Sequence, residues 1–404
     1  MVKPERRTRG DILAAVAIVA VIAVAAGMIW WTSDARATES RPADSAVPAL
    51  KAARDVPTTL RQAWTAASPR TTAPVLAGGA VVTGDGRQID GRDPATGDVL
   101  WSYSRGADLC GVTSVYQNAV AVYPDDRGCG QVTTINGKTG RRDATRTAYA
   151  DPEVRLSSDG TTVLSAGENR LELWRSDMVR MIGYGALDAR IKPDVPAQPL
   201  CRLASVAASS SAVSVIEACP REPDMRLTLL RPADEEDQPE TKTVPLPGVP
   251  VDSDAQVIAV SDTLTAVYLP TPKPTVNIVD DTGTTTASTL LSKPASAQAT
   301  ATRTGDLITW WTGDSVMVFD ADDLRYQFTV NAVDGQAPVG PATMMAGRLL
   351  VPVTRGYDVF DPQTGKGERH IELSRQPQQG PVVPAVAGTT LLEQRGGTLV
   401  ALAG

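Results

Sequence analysis

Four cysteines, a single histidine and two dense acidic runs are the side chains of this 404-residue chain best suited to chemistry. Cys110 and Cys129 stand 19 residues apart, and Cys201 and Cys219 stand 18 apart. No pair has the C-x-x-C spacing of a zinc site, so the thiols are either buried and free or joined as disulfides. His370 lies in Gly367-Glu368-Arg369-His370-Ile371, the context of a solvated outer strand. A lone histidine rules out a multi-histidine metal site, and no G-x-S-x-G motif accompanies it. Asp234-Glu235-Glu236-Asp237 sits between Pro232 and Pro239 and reads as a solvated hairpin loop rather than a cation site. Asp320-Ala321-Asp322-Asp323 lacks the glycine and distal glutamate of a calcium loop. Trp310-Trp311 lies in a strand pattern that sends one ring to each face, which favours core packing over a ligand cage. No catalytic, cofactor or metal constellation emerges, and the expectation is a protein that is not an enzyme.

Composition narrows the partners. Net charge is −7; the first eleven residues carry four basic and two acidic side chains, which leaves −9 for the rest. An acidic domain with no basic cluster does not suit nucleic acid or an anionic lipid surface. Lysine is scarce beside arginine and alanine is abundant, which suggests a GC-rich genome of the actinobacterial kind.

The element that must place everything else is the uncharged run Ile12 to Trp31. Twenty helical residues cover about 30 Å, the thickness of a bilayer's hydrocarbon core. Lys3, Arg6, Arg7 and Arg9 precede it and Trp30-Trp31 close it, so residues 1–11 form a cytoplasmic tail and the chain exits on the far side. The expectation is a single-pass plasma-membrane protein with its C-terminal domain outside. The alternative is a secreted protein, cleaved at Ala35-Arg36-Ala37, although the run exceeds an ordinary signal core. Residues 32–59, rich in Pro, Ala and Ser, read as a flexible linker.

Residues 60–404 show short alternating runs broken by Gly, Asp, Pro and Asn, with no sustained helical period. Their openings recur near Pro74, Cys110, Glu153, Cys201, Gln256, Ala299, Val339 and Val382, at spacings that fit four short strands per unit. That rhythm implies an all-β propeller of eight four-stranded blades, with seven as the alternative. A second signature lies later in the unit. Asp93-Pro94-Ala95-Thr96-Gly97 precedes Trp101 and recurs as Asp361-Pro362-Gln363-Thr364-Gly365, more weakly as Asn136 to Gly140, and shortened as Asp280 to Gly283. Asp or Asn accepts backbone N–H groups there and Gly supplies a positive φ. Trp101 should lie on the neighbouring blade. The seventh unit has Arg369 in that slot and the second has Ala144. The last unit ends after its third strand, so Leu60 to Trp64 can supply the fourth, with Trp64 in the slot of Trp101.

These residues resemble the repeat of pyrroloquinoline-quinone-type propellers, the group that includes quinoprotein alcohol dehydrogenases and the assembly lipoprotein BamB. The resemblance implies either a scaffold or an enzyme. Its quinone-binding members use vicinal cysteines and a calcium set. Neither maps onto this chain, so no cofactor is expected.

In both cysteine-bearing units the first Cys opens the inner strand and the second follows the next strand, which brings each pair together at the end of one hairpin. Cys110–Cys129 and Cys201–Cys219 are therefore the expected disulfides. The functional expectation is a tethered binding or scaffold module for other envelope or membrane proteins. A quinoprotein-like enzyme or a ligand sensor using the channel is the alternative. Loops between second and third strands are expected to be long at Pro124 to Gly130, Cys219 to Asp224 and Pro270 to Pro274. Arg221 and Lys273 mark that candidate partner face.

Overall fold

The computed structural model describes residues 8–33, 36–187, 200–333, 335–376 and 380–404. Lys3, Arg6, Arg7 and Ala35 lie outside them. One helix, Arg9–Thr32, opens the chain. Thr8 caps it: its N–H donates to Asp11 Oδ2 at 2.8 Å, and Asp11 N–H donates back to Thr8 Oγ1 at 3.3 Å. This reciprocal cap starts the helix a turn before the apolar run. Its mean hydropathy is 2.9 and none of it is buried. An apolar helix of this length, followed by a disulfide-bearing domain, is the signature of an extracytoplasmic protein, whether the helix serves as anchor or signal.

The remaining described residues form eight antiparallel sheets. Each sheet is one blade of an eight-bladed β-propeller. The inner strands begin at Val75, Gly111, Arg155, Arg202, Gln256, Thr300, Thr343 and Val382, close to the openings read from the sequence. A blade buries little alone, because both its faces are apolar. The core is accordingly a set of clusters between blades: Trp101 and Tyr103 of blade one share theirs with Ala121 and Tyr123 of blade two.

Closure uses both ends of the domain. Arg61–Ala67 pairs antiparallel with Thr398–Ala403 and completes blade eight, with Arg61 opposite Ala403 and Ala67 opposite Thr398. Trp64 Nε1 donates to Pro94 O at 2.9 Å, and its ring covers Gly97. Trp101 repeats this contact one blade on: it is fully buried, donates to Gly137 O at 2.8 Å and covers Gly140. A Cβ on Gly97, whose φ is +80°, would come within 2.8 Å of the Trp64 ring. The glycine therefore serves both the turn and the ring packed on it.

Where the slot changes, its neighbour changes too. Phe328 of blade six covers Gly365 of blade seven. Ala144 of blade two shares a cluster with Met178, which occupies the positive-φ turn position of blade three. The bulk has moved from the strand to the turn. Arg369 of blade seven faces no such turn, and its guanidinium instead donates to Val56 O and Pro57 O.

That contact corrects one expectation. Residues 32–59 are not a free tether over their described length. Glu39–Arg41 forms a fifth strand on the outer edge of blade one, with Glu39 opposite Ser104. Ala43 and Val47 donate to Thr139 O and Lys138 O, and Val47 is buried. The strap then crosses the turns of blades one and eight and reaches Arg369. It orders because the uncharged edge of blade one needs a partner and because Val47, Ala53 and Val56 have apolar surface to cover.

Trp101→Ala should cost about 3–5 kcal/mol. Half-buried Trp64→Ala should cost less, but more than about 1 kcal/mol. Removing residues 38–55 should lower the melting temperature, as read by calorimetry on the remaining chain. An unchanged melting temperature would mean that the strap adds nothing to stability.

Candidate binding surface

A propeller offers a channel and two faces. One face here carries the turns that join first to second and third to fourth strands. The other carries the second-to-third hairpins and the connections between blades, and both disulfides lie there. Cys110–Cys129 has its Cα atoms 6.0 Å apart and Cys201–Cys219 has them 4.2 Å apart. Each pins the start of an inner strand to the adjoining hairpin. Cys201, Cys219 and Glu217 cluster closely, but the bonded sulfurs are not available as metal ligands.

Of the three long loops expected on this face, two are present. In blade two, Asn118–Asp125 and Gly128–Asn136 pair almost to their tips, leaving only residues 126–127 as a turn. Asp125 drives this by accepting the N–H of Arg127 at 2.8 Å and the side chains of Arg127 and Gln131. In blades four and five, residues 219–223 and 270–274 are true loops. Both are latched to Gly248 in the outer strand of blade four. Gly248 N–H donates to Asp224 Oδ2 at 3.1 Å, and Thr271 Oγ1 donates to Gly248 O at 2.6 Å. Arg221 and Lys273, one in each loop, are exposed. The sequence could suggest the two loops, but not the residue that joins them.

The channel wall of blades three to six borders a cavity of about 640 Å³. Ser157, Ser205, Ala207, Ala259 and Ala301 line it with small side chains, and Asp252, Asp254 and Arg303 border it with charge. Arg155 and Arg202 open their inner strands at the disulfide-bearing end, and Arg202 donates to Val251 O. Asp159 also borders the cavity, but its carboxylate accepts from Thr161 and Thr162.

Sequence reading missed the principal buried charges, which are Glu172, Glu217 and Glu393. Each lies in a largely buried strand, and each stitches its blade to the one before. Glu172 accepts from Arg146 of blade two at 2.9 Å, from Arg180 at 3.1 Å and from Trp174 Nε1 at 2.8 Å. Glu217 accepts from Tyr184 of blade three at 3.0 Å, Arg226 at 2.9 Å and Thr228 at 2.6 Å. Burial and the neighbouring Glu217 carboxylate push the Tyr184 hydroxyl up to about 12. Glu393 accepts from Tyr357 of blade seven at 2.6 Å, and from Arg375 and Arg395. Burial alone would raise the Glu393 carboxyl, but the arginines outweigh it and hold the group below its ordinary value. A visible signal was an acid at an inward strand position, as in Leu171-Glu172-Leu173.

The other residues singled out hold structure. His370 lies in the outer strand of blade seven, 2.7 Å from Asp358, whose carboxylate raises its pKa. Asp93, Asp320 and Asp361 each accept two backbone N–H groups within their turns, and Thr364 Oγ1 also donates to Asp361. Thr96 Oγ1 donates to Asp98 instead. Trp310 packs on Tyr268 of blade five, while Trp311 donates to Pro338 O on the side of blade seven. The run Asp234 to Asp237 is not simply solvated. Glu236 pairs with Arg180 at 3.1 Å and its carbonyl accepts from Gly183, because the hairpin leans onto the outer strand of blade three.

Comparison with known proteins agrees on architecture. The C-terminal WD40 domain of Sif2 superposes with a TM-score of 0.54 at 12% identity, over 87% of this chain and 99% of that one. BamB from Moraxella catarrhalis gives a TM-score of 0.48 at 15% identity, over 86% and 100%. No protein-family model and no curated protein sequence matches the chain. The Sif2 similarity shows the fold alone.

Arg375→Ala should destabilise by about 3–5 kcal/mol, because it leaves the Glu393 carboxylate buried without its main partner. The depressed pKa also sets a pH dependence. The stabilisation is complete above the ordinary glutamate value of 4.5 and is lost as pH falls through the lower folded value. Denaturant melts between pH 7 and 3 should show a smaller acid-induced loss in Glu393→Gln than in the wild type.

Proposed function

We propose that this protein is a membrane-tethered, extracytoplasmic binding or scaffold module that engages another envelope protein through its disulfide-bearing face. The observation that carries the reading is the pair of latched loops in blades four and five. They present Arg221 and Lys273 from a domain whose overall charge is acidic. Preformed loops lose little entropy on docking, and exposed cations on them favour an acidic partner surface. The buried carboxylates point the same way, since Glu172, Glu217 and Glu393 are all engaged in holding blades together. The repeat that resembles pyrroloquinoline-quinone-type propellers fits a scaffold as readily as an enzyme. The cavity beside Arg155 and Arg202 favours a second reading, a small polar ligand held in the channel.

Charge reversal of Arg221 and Lys273 together should weaken recovery of protein partners from solubilised membranes by about tenfold or more, with the melting temperature unchanged. Recovery that is unaffected by this change but lost on altering the turns at Asp93 or Asp361 would put the partner on the opposite face.

We also read the helix as a retained anchor with its N-terminus in the cytoplasm. Mass spectrometry of the mature protein should find an N-terminus before residue 12. A mature chain beginning at Thr38 would mean a secreted protein.

A further inference from the structure

The outer strand of blade five, Thr285–Leu290, is an unprotected sheet edge. Among the described residues no strand lies on its outer side, and five of its six residues are exposed, Leu290 at 68%. Proteins blunt such edges with charge, proline or cover, because unpaired N–H and C=O groups invite another strand. Most of the other described blades follow that rule. Blade two has Arg142 and Arg146 in its outer strand, blade four Lys242 and Pro245, blade seven Glu368 and Arg369, and blade eight Arg61. The outer strand of blade three is covered by the hairpin that carries Glu236, and that of blade six, Tyr326–Val330, has neither charge nor proline but is mostly half-buried. Blade one, whose Val99–Ser104 also lacks charge and proline, is the instructive case. There the chain lays its own Glu39–Arg41 along the edge. Blade five has no such device, and nothing from Thr282 to Ser292 is charged.

We propose that this edge pairs with the same edge of a second copy of the chain, antiparallel about a two-fold axis near Ala287 and Ser288. The ends of the neutral stretch favour this occupant. Asp280 and Asp281 precede it and Lys293 follows it. Lys293 pairs with Asp314 within its own copy and the Asp280 carboxylate is held in its own turn, so exposed Asp281 is the group that antiparallel self-pairing brings to the lysine of the other copy. Threonine and serine then face threonine and serine across the strands, which suits hydroxyl pairing. Antiparallel addition is also how Glu39–Arg41 covers blade one. The interface is isologous, so it closes at two copies. Six residues make a small contact, and the anchors, by confining copies to one membrane, raise the effective concentration that such a contact needs. This inference concerns the rim of the propeller and does not depend on what its faces bind.

The test uses full-length protein in its own membrane. All four native cysteines are in disulfides, so Ala287→Cys or Ser288→Cys introduces the single thiol. Mild oxidation should yield a disulfide-linked dimer from either variant. Thr145→Cys, on the charged outer strand of blade two, should stay monomeric. Adding Thr286→Lys to Ser288→Cys should cut the dimer yield about tenfold while leaving the melting temperature unchanged, since like charges would then meet near the axis. No dimer from position 287 or 288 would overturn the proposal. So would equal dimer from position 145, or a yield that survives Thr286→Lys.

Discussion

The pairing of Arg61–Ala67 with Thr398–Ala403 is the contact on which the rest of the molecule depends. A blade has two apolar faces and buries them only against neighbours, so an open ring would leave two faces in water. This pairing joins the ends of the domain through backbone hydrogen bonds and sets Trp64 onto blade one. Because the closing strand comes from the N-terminal end, the segment before it has to travel from the apolar helix to the outer edge of blade eight. The strap is that path.

The strap changes how the domain is held. Only residues 33–38 separate the helix from the strand on blade one, a reach of about 20 Å at full extension. Between Glu39 and Pro57 the chain contacts blade one, blade two, blade eight and blade seven in turn. Its attachment to the helix is therefore at the rim of blade one, while the disulfides and the loops of Arg221 and Lys273 lie on the face that the strap leaves open.

The architecture was readable because a propeller writes its period into the sequence. Turn residues recur at Asp93, Asn136, Asp280, Asp320 and Asp361, and a large side chain sits a fixed distance later in the units that have one. The cysteine pairs were readable for the same reason, since two units repeat one geometry. The strap was not. Its residues have no period, and its order comes from surfaces distant in the chain, from Ser104 opposite Glu39 to Arg369, 313 residues from Val56. Blade two failed locally: Pro124 to Gly130 has the composition of a loop, yet the Asp125 carboxylate folds it into a tight hairpin.

The three buried glutamates show why the candidate site was harder to see than the fold. A carboxylate in a strand interior carries the same letter whether it is catalytic or structural, and only its partners tell the two apart. Each of these faces arginine or tyrosine from the preceding blade, with side chains almost fully removed from water. A buried ion pair adds little net stability but penalises any arrangement that separates its members. Apolar faces alone would let one blade slide on the next with small loss. A carboxylate that has to meet a particular guanidinium or tyrosine hydroxyl fixes the offset between blades two and three, three and four, and seven and eight. Elsewhere the ring uses tryptophan on glycine for the same purpose, at blades eight to one and one to two. The two devices are complementary in chemistry and alike in effect, because each gives an otherwise uniform blade contact a single register.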